Sequence, residues 1–91
     1  MEPEQRMIMA ALLLSIAQQR AENVQWLGVS PSKVKVLSDE IAYEARLFVN
    51  SEAFDEMCEA VDLPAQAMWE MDPDEALKAY KKLTSDKWSK H

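Results

Sequence analysis

An all-α fold, a small bundle of four to five helices with a helix-turn-helix-like unit, is predicted by three features of the chain. Hydrophobic residues make up 48% of it, too many for a disordered polymer, while glycine occurs once, at Gly28, too rarely for a fold rich in hairpins. Alanine, methionine, glutamate, glutamine and lysine, all good helix formers, dominate the composition. The β-branched residues are few and never alternate with polar ones as a strand requires. Ninety-one residues match one domain, expected over residues 1–84, with 85–91 as a frayed tail whose Trp88 can fold back onto the bundle.

Each helix has its own local signal. Pro3 at a first helical position, flanked by Glu2 and Glu4, suits the positive end of a helix dipole and opens a first helix expected to reach Trp26. From Met7 to Ala17 only Ser15 is polar. Apolar side chains therefore point in every direction, so this helix either lies at the centre of the bundle or pairs with a second copy of itself. Gly28 to Ser32 reads as a turn. The second helix starts there or at Ser38-Asp39-Glu40, and its apolar stripe is Val34, Leu37, Ile41, Ala45 and Phe48.

Asn50-Ser51-Glu52 reads as the cap of a third helix, with Phe54, Met57, Cys58 and Val61 turned inward. Asp62-Leu63-Pro64 interrupts the pattern, and a short fourth helix carries Ala65, Met68 and Trp69. Asp72-Pro73-Asp74-Glu75 places an acid at the cap, proline at the first position and glutamate three residues on, so a fifth helix starts at Pro73. Its apolar face is Ala76, Leu77, Tyr80 and Leu83, and Lys78, Lys81 and Lys82 sit toward its C-terminal end.

The inventory of reactive side chains argues against an enzyme. One histidine at position 91, one cysteine and one glycine supply no nucleophile with its base, no metal cage and no phosphate cradle. No cofactor or metal is expected. Cys58 lies at a core position among Glu56 and Glu59, which raise a thiol pKa, so packing is its expected role. Glu52 and Glu56 stand one helical turn apart, too few oxygens for a calcium site. The apolar run in the first helix is preceded by Glu2 and Glu4 where a leader would carry bases, and it is too short to span a bilayer. A cytoplasmic, membrane-free protein is the expectation.

Charge is the more informative property. The net charge of −6 conceals a strong partition: residues 51–75 hold nine acids and no base, whereas five lysines follow residue 75. Such a block repels phosphates and attracts basic surfaces, although rows of acids often do no more than solvate helices. The candidate partner-binding residues are Glu52, Asp55, Glu56, Glu59, Asp62, Gln66, Trp69, Glu70, Asp72, Asp74 and Glu75. Trp69 is included as an aromatic anchor, with burial in the core as the alternative.

Phe54, Met57, Val61, Leu63, Met68 and Met71, with the small Cys58 among them, follow the spacing of a helix-turn-helix. The second helix of that unit offers Gln66 and Glu70 but no arginine or lysine for phosphate or guanine, so direct nucleic-acid binding by it is disfavoured. Glu2 to Gln19 (EPEQRMIMAALLLSIAQQ), then Glu44-Ala45-Arg46-Leu47-Phe48 followed by Ser51, Phe54, Cys58 and the Asp62-Leu63-Pro64 turn, resemble small helical proteins of unassigned function encoded by tailed bacteriophages and prophages. The chain departs from them at Asp62, where they carry glycine, and in lacking bases after Pro64.

The resemblance implies a bacterial host cell and an accessory or regulatory task, and it transfers no catalytic residue. Combined with the acidic block, it gives the expected function: binding the basic surface of a host nucleic-acid-handling complex, to inhibit or modulate it in the manner of anti-defence or transcription-modulating proteins. The alternatives are a small DNA-binding regulator that uses its lysine-rich last helix, and a structural oligomer, a homodimer through the first helix.

Overall fold

The computed structural model describes residues 2–24 and 30–85. Among them are five α-helices and no strand: α1 (Pro3–Gln18), α2 (Pro31–Val49), α3 (Glu52–Ala60), α4 (Ala65–Glu70) and α5 (Pro73–Ser85). The all-α class is thus as the composition requires.

Helix α1 takes the central position. It packs most extensively on α5 and also touches α2 and α3, burying Leu12, Leu13, Ile16 and Ala17. A helix apolar on several sides needs neighbours on several sides, and here the bundle supplies them. Its start is the expected one: Pro3 is the first helical residue, and the Glu2 N–H donates to Gln5 Oε1 at 3.4 Å.

Its end is not. The helix stops at Gln18, short of the expected Trp26, because the chain turns extended at Arg20 and re-forms only a 3-10 turn over Ala21–Asn23. The buried Asn23 folds back so that its Nδ2 donates to the Ala17 carbonyl at 3.0 Å, satisfying an acceptor that a continued helix would have used. Trp26 itself, and Gly28 of the predicted turn, lie outside the described residues.

Helix α2 starts at Pro31, with Ser30 extended as its N-cap, which decides between the two starts. The rival cap, Ser38, is buried in mid-helix. The buried face also differs from the expected stripe: it is Ser38, Ala42, Ala45 and Val49. Val34, Ile41 and Phe48 are only half-buried and Leu37 is exposed. Small side chains allow the backbones of packed helices to approach closely, and bulkier residues of α2 stay at the edge or outside.

The remaining elements follow their caps. Ser51 Oγ accepts the Phe54 N–H at 3.4 Å at the start of α3. Phe54, fully buried, meets the Phe48 ring edge to face at 5.8 Å. Helix α4 follows Pro64 and buries Met68. Asp72 Oδ2 accepts from the N–H groups of Asp74 (3.0 Å) and Glu75 (3.3 Å), so α5 begins at Pro73 as its cap motif dictates. Ala76 is fully buried, and Leu77, Tyr80 and Leu83 pack at the margin of the core. The predicted tail falls, beyond Ser85, outside the described residues, as does Trp88.

No helix among the described residues is long and apolar enough to cross a membrane.

Candidate protein-docking surface

The nine acids of residues 51–75 divide into three groups with different surroundings. The first is on α3. Phe54 and Cys58 are buried, whereas Glu52, Glu56 and Glu59, at steps of four and three, are exposed. Residues so spaced share one helical face, here the one turned from the core. Among the described residues no base lies within ion-pair distance of any of the three. Among the described residues the stripe is therefore a row of carboxylates without a paired base, about 10 Å long at the helical rise of 1.5 Å per residue.

Asp55 lies on the flank of that stripe and is half-buried, and its Oδ1 has no hydrogen-bond partner among the described residues. Its charge faces inward enough to act on Cys58. Burial first, and the Asp55 carboxylate second, push the Cys58 thiol above its ordinary pKa. The thiol is thus a packing group, as its position predicts, but the carboxylate that acts on it is Asp55 and not Glu56 or Glu59, which are exposed.

The second group surrounds the turn into α4. Asp62 has φ 58°, the left-handed region that favours glycine. Its N–H donates to Glu59 O at 3.0 Å and the Leu63 N–H to Cys58 O at 2.9 Å, the paired bonds that end a helix in a Schellman turn. The aspartate at the place of the expected glycine therefore carries glycine's geometry. Glu59 and Asp62, with Leu63 and Pro64, line an open hollow of about 460 Å³, so the turn extends the α3 stripe. On α4, Gln66 Nε2 donates to Glu70 Oε1 at 3.3 Å and both side chains are exposed.

Trp69 is neither core nor free. It is 48% exposed, and its indole N–H donates to Val49 O at 2.8 Å, clamping α4 to the end of α2 while one part of the ring faces solvent.

The third group is tied up within the fold. Asp72 caps α5. Arg20, arriving from the end of α1, bonds Asp74 Oδ2 at 2.5 Å and lies 3.9 Å from Asp72. Asn23 Nδ2 donates to Asp74 Oδ1 at 3.2 Å as well as to Ala17 O. Glu75 stands 4.0 Å from Lys78. Nearby, Arg46 Nη1 donates to Gln19 O at 3.1 Å and joins α2 to the same junction. Asp72 and Asp74 thus serve the joint between α1 and α5, and Glu75 pairs within α5; the candidate residues without a cap or ion pair among the described residues are Glu52, Glu56, Glu59 and Asp62, with Gln66, Glu70 and Trp69 beyond the turn and Asp55 half-buried on the flank.

Two features went unseen in the sequence. The Arg20–Asn23–Asp74 junction joins residues more than fifty positions apart and has no local signature. The outer face of α2, with Val36, Tyr43 and Leu47 each more than half exposed, was hidden among other apolar residues. Its signal is the spacing of seven and four, which places the three on one side of a helix.

No three metal-ligating side chains converge among the described residues. Comparison with protein-family models, with curated proteins and with solved structures finds no match for the chain.

Proposed function

We propose that the protein is a phage-type accessory binding protein whose acidic surface, centred on Glu52, Glu56 and Glu59, docks on a basic surface of a host complex that handles nucleic acid and inhibits or modulates it. The observation that carries this reading is the row of exposed carboxylates on α3, without an ion-paired base among the described residues. A groove built to hold phosphates presents lysines and arginines at close spacing, and a rigid helix bearing carboxylates at 3.6-residue periodicity is complementary to it. The resemblance to small phage proteins supports the bacterial setting. The half-exposed Trp69, fixed by its hydrogen bond to Val49, supplies an aromatic beside the acidic region, which is the kind of residue that carries binding energy at interfaces.

Parallel capture from bacterial lysate by the wild-type chain and by the Glu52→Gln/Glu56→Gln/Glu59→Gln variant tests the reading. The expected result is a nucleic-acid-handling protein held by the wild type, released by salt and lost from the variant. Identical captures by the two chains refute it.

A second reading, duplex binding through α5, draws on Lys78, Lys81 and Lys82, all exposed. Salt-sensitive retention of nonspecific duplex at low salt, abolished by Lys81→Gln/Lys82→Gln, would favour it over the first.

A further inference from the structure

Helix α4 is anchored at few points. It has six residues between Pro64 (φ −71°, ψ 127°) and Met71 (φ −69°, ψ 132°), both extended, and no side chain caps its start. An isolated helix of that length does not persist in water, so tertiary contacts must hold it. Among the described residues they are sparse. The helix packs substantially on α3 alone, buries one side chain, Met68, and sends one side-chain hydrogen bond to another helix, from the Trp69 indole N–H to Val49 O at 2.8 Å. Its two ends are fixed more firmly. Leu63 and Met71 pack against the core, the Leu63 N–H donates to Cys58 O at 2.9 Å, and Asp72 caps α5.

We propose that α4 is a strap across α3, latched by Trp69, that opens as a unit while the other four helices stay folded. The proposal goes beyond the docking reading and does not rest on it. Segments that bury little apolar surface open at a lower free energy than the whole domain. Helix α1, by contrast, buries four side chains and packs on α2, α3 and α5. The latch is a single bond: the Val49 carbonyl is one of the acceptors that α2 leaves without a partner at its C-terminal end, and the indole N–H takes it. Opening withdraws Met68 from the core cluster that it shares with Phe54 and Cys58. The Cys58 thiol, 1% exposed while the strap is closed, then gains access to solvent.

Cys58 is the only cysteine of the chain, so its labelling by an aromatic disulfide reagent, followed in urea, tests this. Below the unfolding transition the wild-type rate should rise only slightly with urea, because strap opening exposes little surface, and steeply once global unfolding takes over. Trp69→Phe, which removes the latch donor and keeps a ring, should speed labelling in the absence of urea roughly two- to tenfold, the factor a net hydrogen bond carries. Ala67→Gly, at an exposed position of α4, should speed it roughly two- to fivefold by weakening the helix itself. Leu83→Ala, at the far end of α5, should lower the urea midpoint measured by circular dichroism and leave the labelling rate without urea unchanged. A labelling rate that follows global unfolding at every urea concentration and rises with Leu83→Ala overturns the proposal. So does a rate indifferent to both Trp69→Phe and Ala67→Gly, and a rise with Ala67→Gly alone overturns the latch.

Discussion

Replacing Asp62 with glycine should make the protein more stable, although it deletes a side chain and adds none. Asp62 is held at φ 58° by two helix-ending hydrogen bonds, from its own N–H and that of Leu63. A residue with a Cβ meets its carbonyl oxygen in that conformation at a cost of about 1–2 kcal/mol, less for aspartate, whose short side chain tolerates it. Glycine avoids that cost and gives back part of it through the greater freedom of its unfolded chain. The net gain is about 0.5–1 kcal/mol, or roughly 3–6 °C in Tm for a domain of this size. Removing a carboxylate near Glu59 also relieves repulsion, so a charge effect must be separated from a backbone effect. Asp62→Asn does so, since asparagine removes the charge but tolerates the left-handed region. Asp62→Ala should be destabilising by about 1 kcal/mol, because alanine neither tolerates the geometry nor caps anything. Urea unfolding followed by circular dichroism gives the order expected: glycine above asparagine, asparagine at or slightly above wild type, alanine below. A glycine variant less stable than wild type would refute the reasoning, and an asparagine variant equal to glycine would assign the gain to charge.

Three further outcomes follow from the packing and the polar junction. Asn23→Ala should cost about 1–3 kcal/mol, because it strips a hydrogen bond from the Ala17 carbonyl beside the core, whereas Arg20→Ala, at a bridge about half exposed on both sides, should cost less than about 1 kcal/mol; equal losses in a denaturant titration would contradict this division. Phe54→Ala removes a fully buried ring and its edge-to-face contact with Phe48 and should cost about 3–5 kcal/mol, much of the stability of a domain this small, to be read as loss of a cooperative melt. The Cys58 thiol is pushed up by burial and by Asp55, so the folded chain keeps its proton where the unfolded chain releases it. The contribution is present below the ordinary thiol range, about 8.5, and is lost as pH rises through it, so wild type should lose stability there more steeply than Cys58→Ala; parallel pH profiles would deny the coupling.

The legible parts of this fold are those decided within a few residues. Asp72-Pro73 marks the start of α5 and Ser51 the start of α3, because a cap is a contact between neighbours in the chain. The central place of α1 was foreshadowed by its apolar run, since a helix greasy on several sides has few other soluble arrangements. The end of α1 was illegible because a side chain at Asn23 and a guanidinium at Arg46 take carbonyls that local pattern would have assigned to a longer helix. The inward face of α2 was misread for a related reason. Counting large apolar residues favours Leu37 and Phe48, whereas a tightly packed helix pair buries Ser38, Ala42 and Ala45.

The acidic block was visible as composition but its division was not. A sequence reports nine carboxylates alike; only the fold brings Arg20 to Asp72 and Asp74 and leaves Glu52, Glu56 and Glu59 without a described counterion. Likewise, Trp69 could be placed at an interface or in the core by spacing alone, and the bond to Val49 makes it partly each.

The α3 stripe is tested most directly by titrating the captured host protein, once purified, against the wild-type chain and the Glu52→Gln/Glu56→Gln/Glu59→Gln variant from about 50 to 300 mM salt, a range over which screening of exposed charges changes strongly. The wild type should bind more tightly at low salt and weaken steeply as salt rises, while the variant binds at least tenfold more weakly with a flatter dependence. Equal affinities with the same salt dependence would contradict the account.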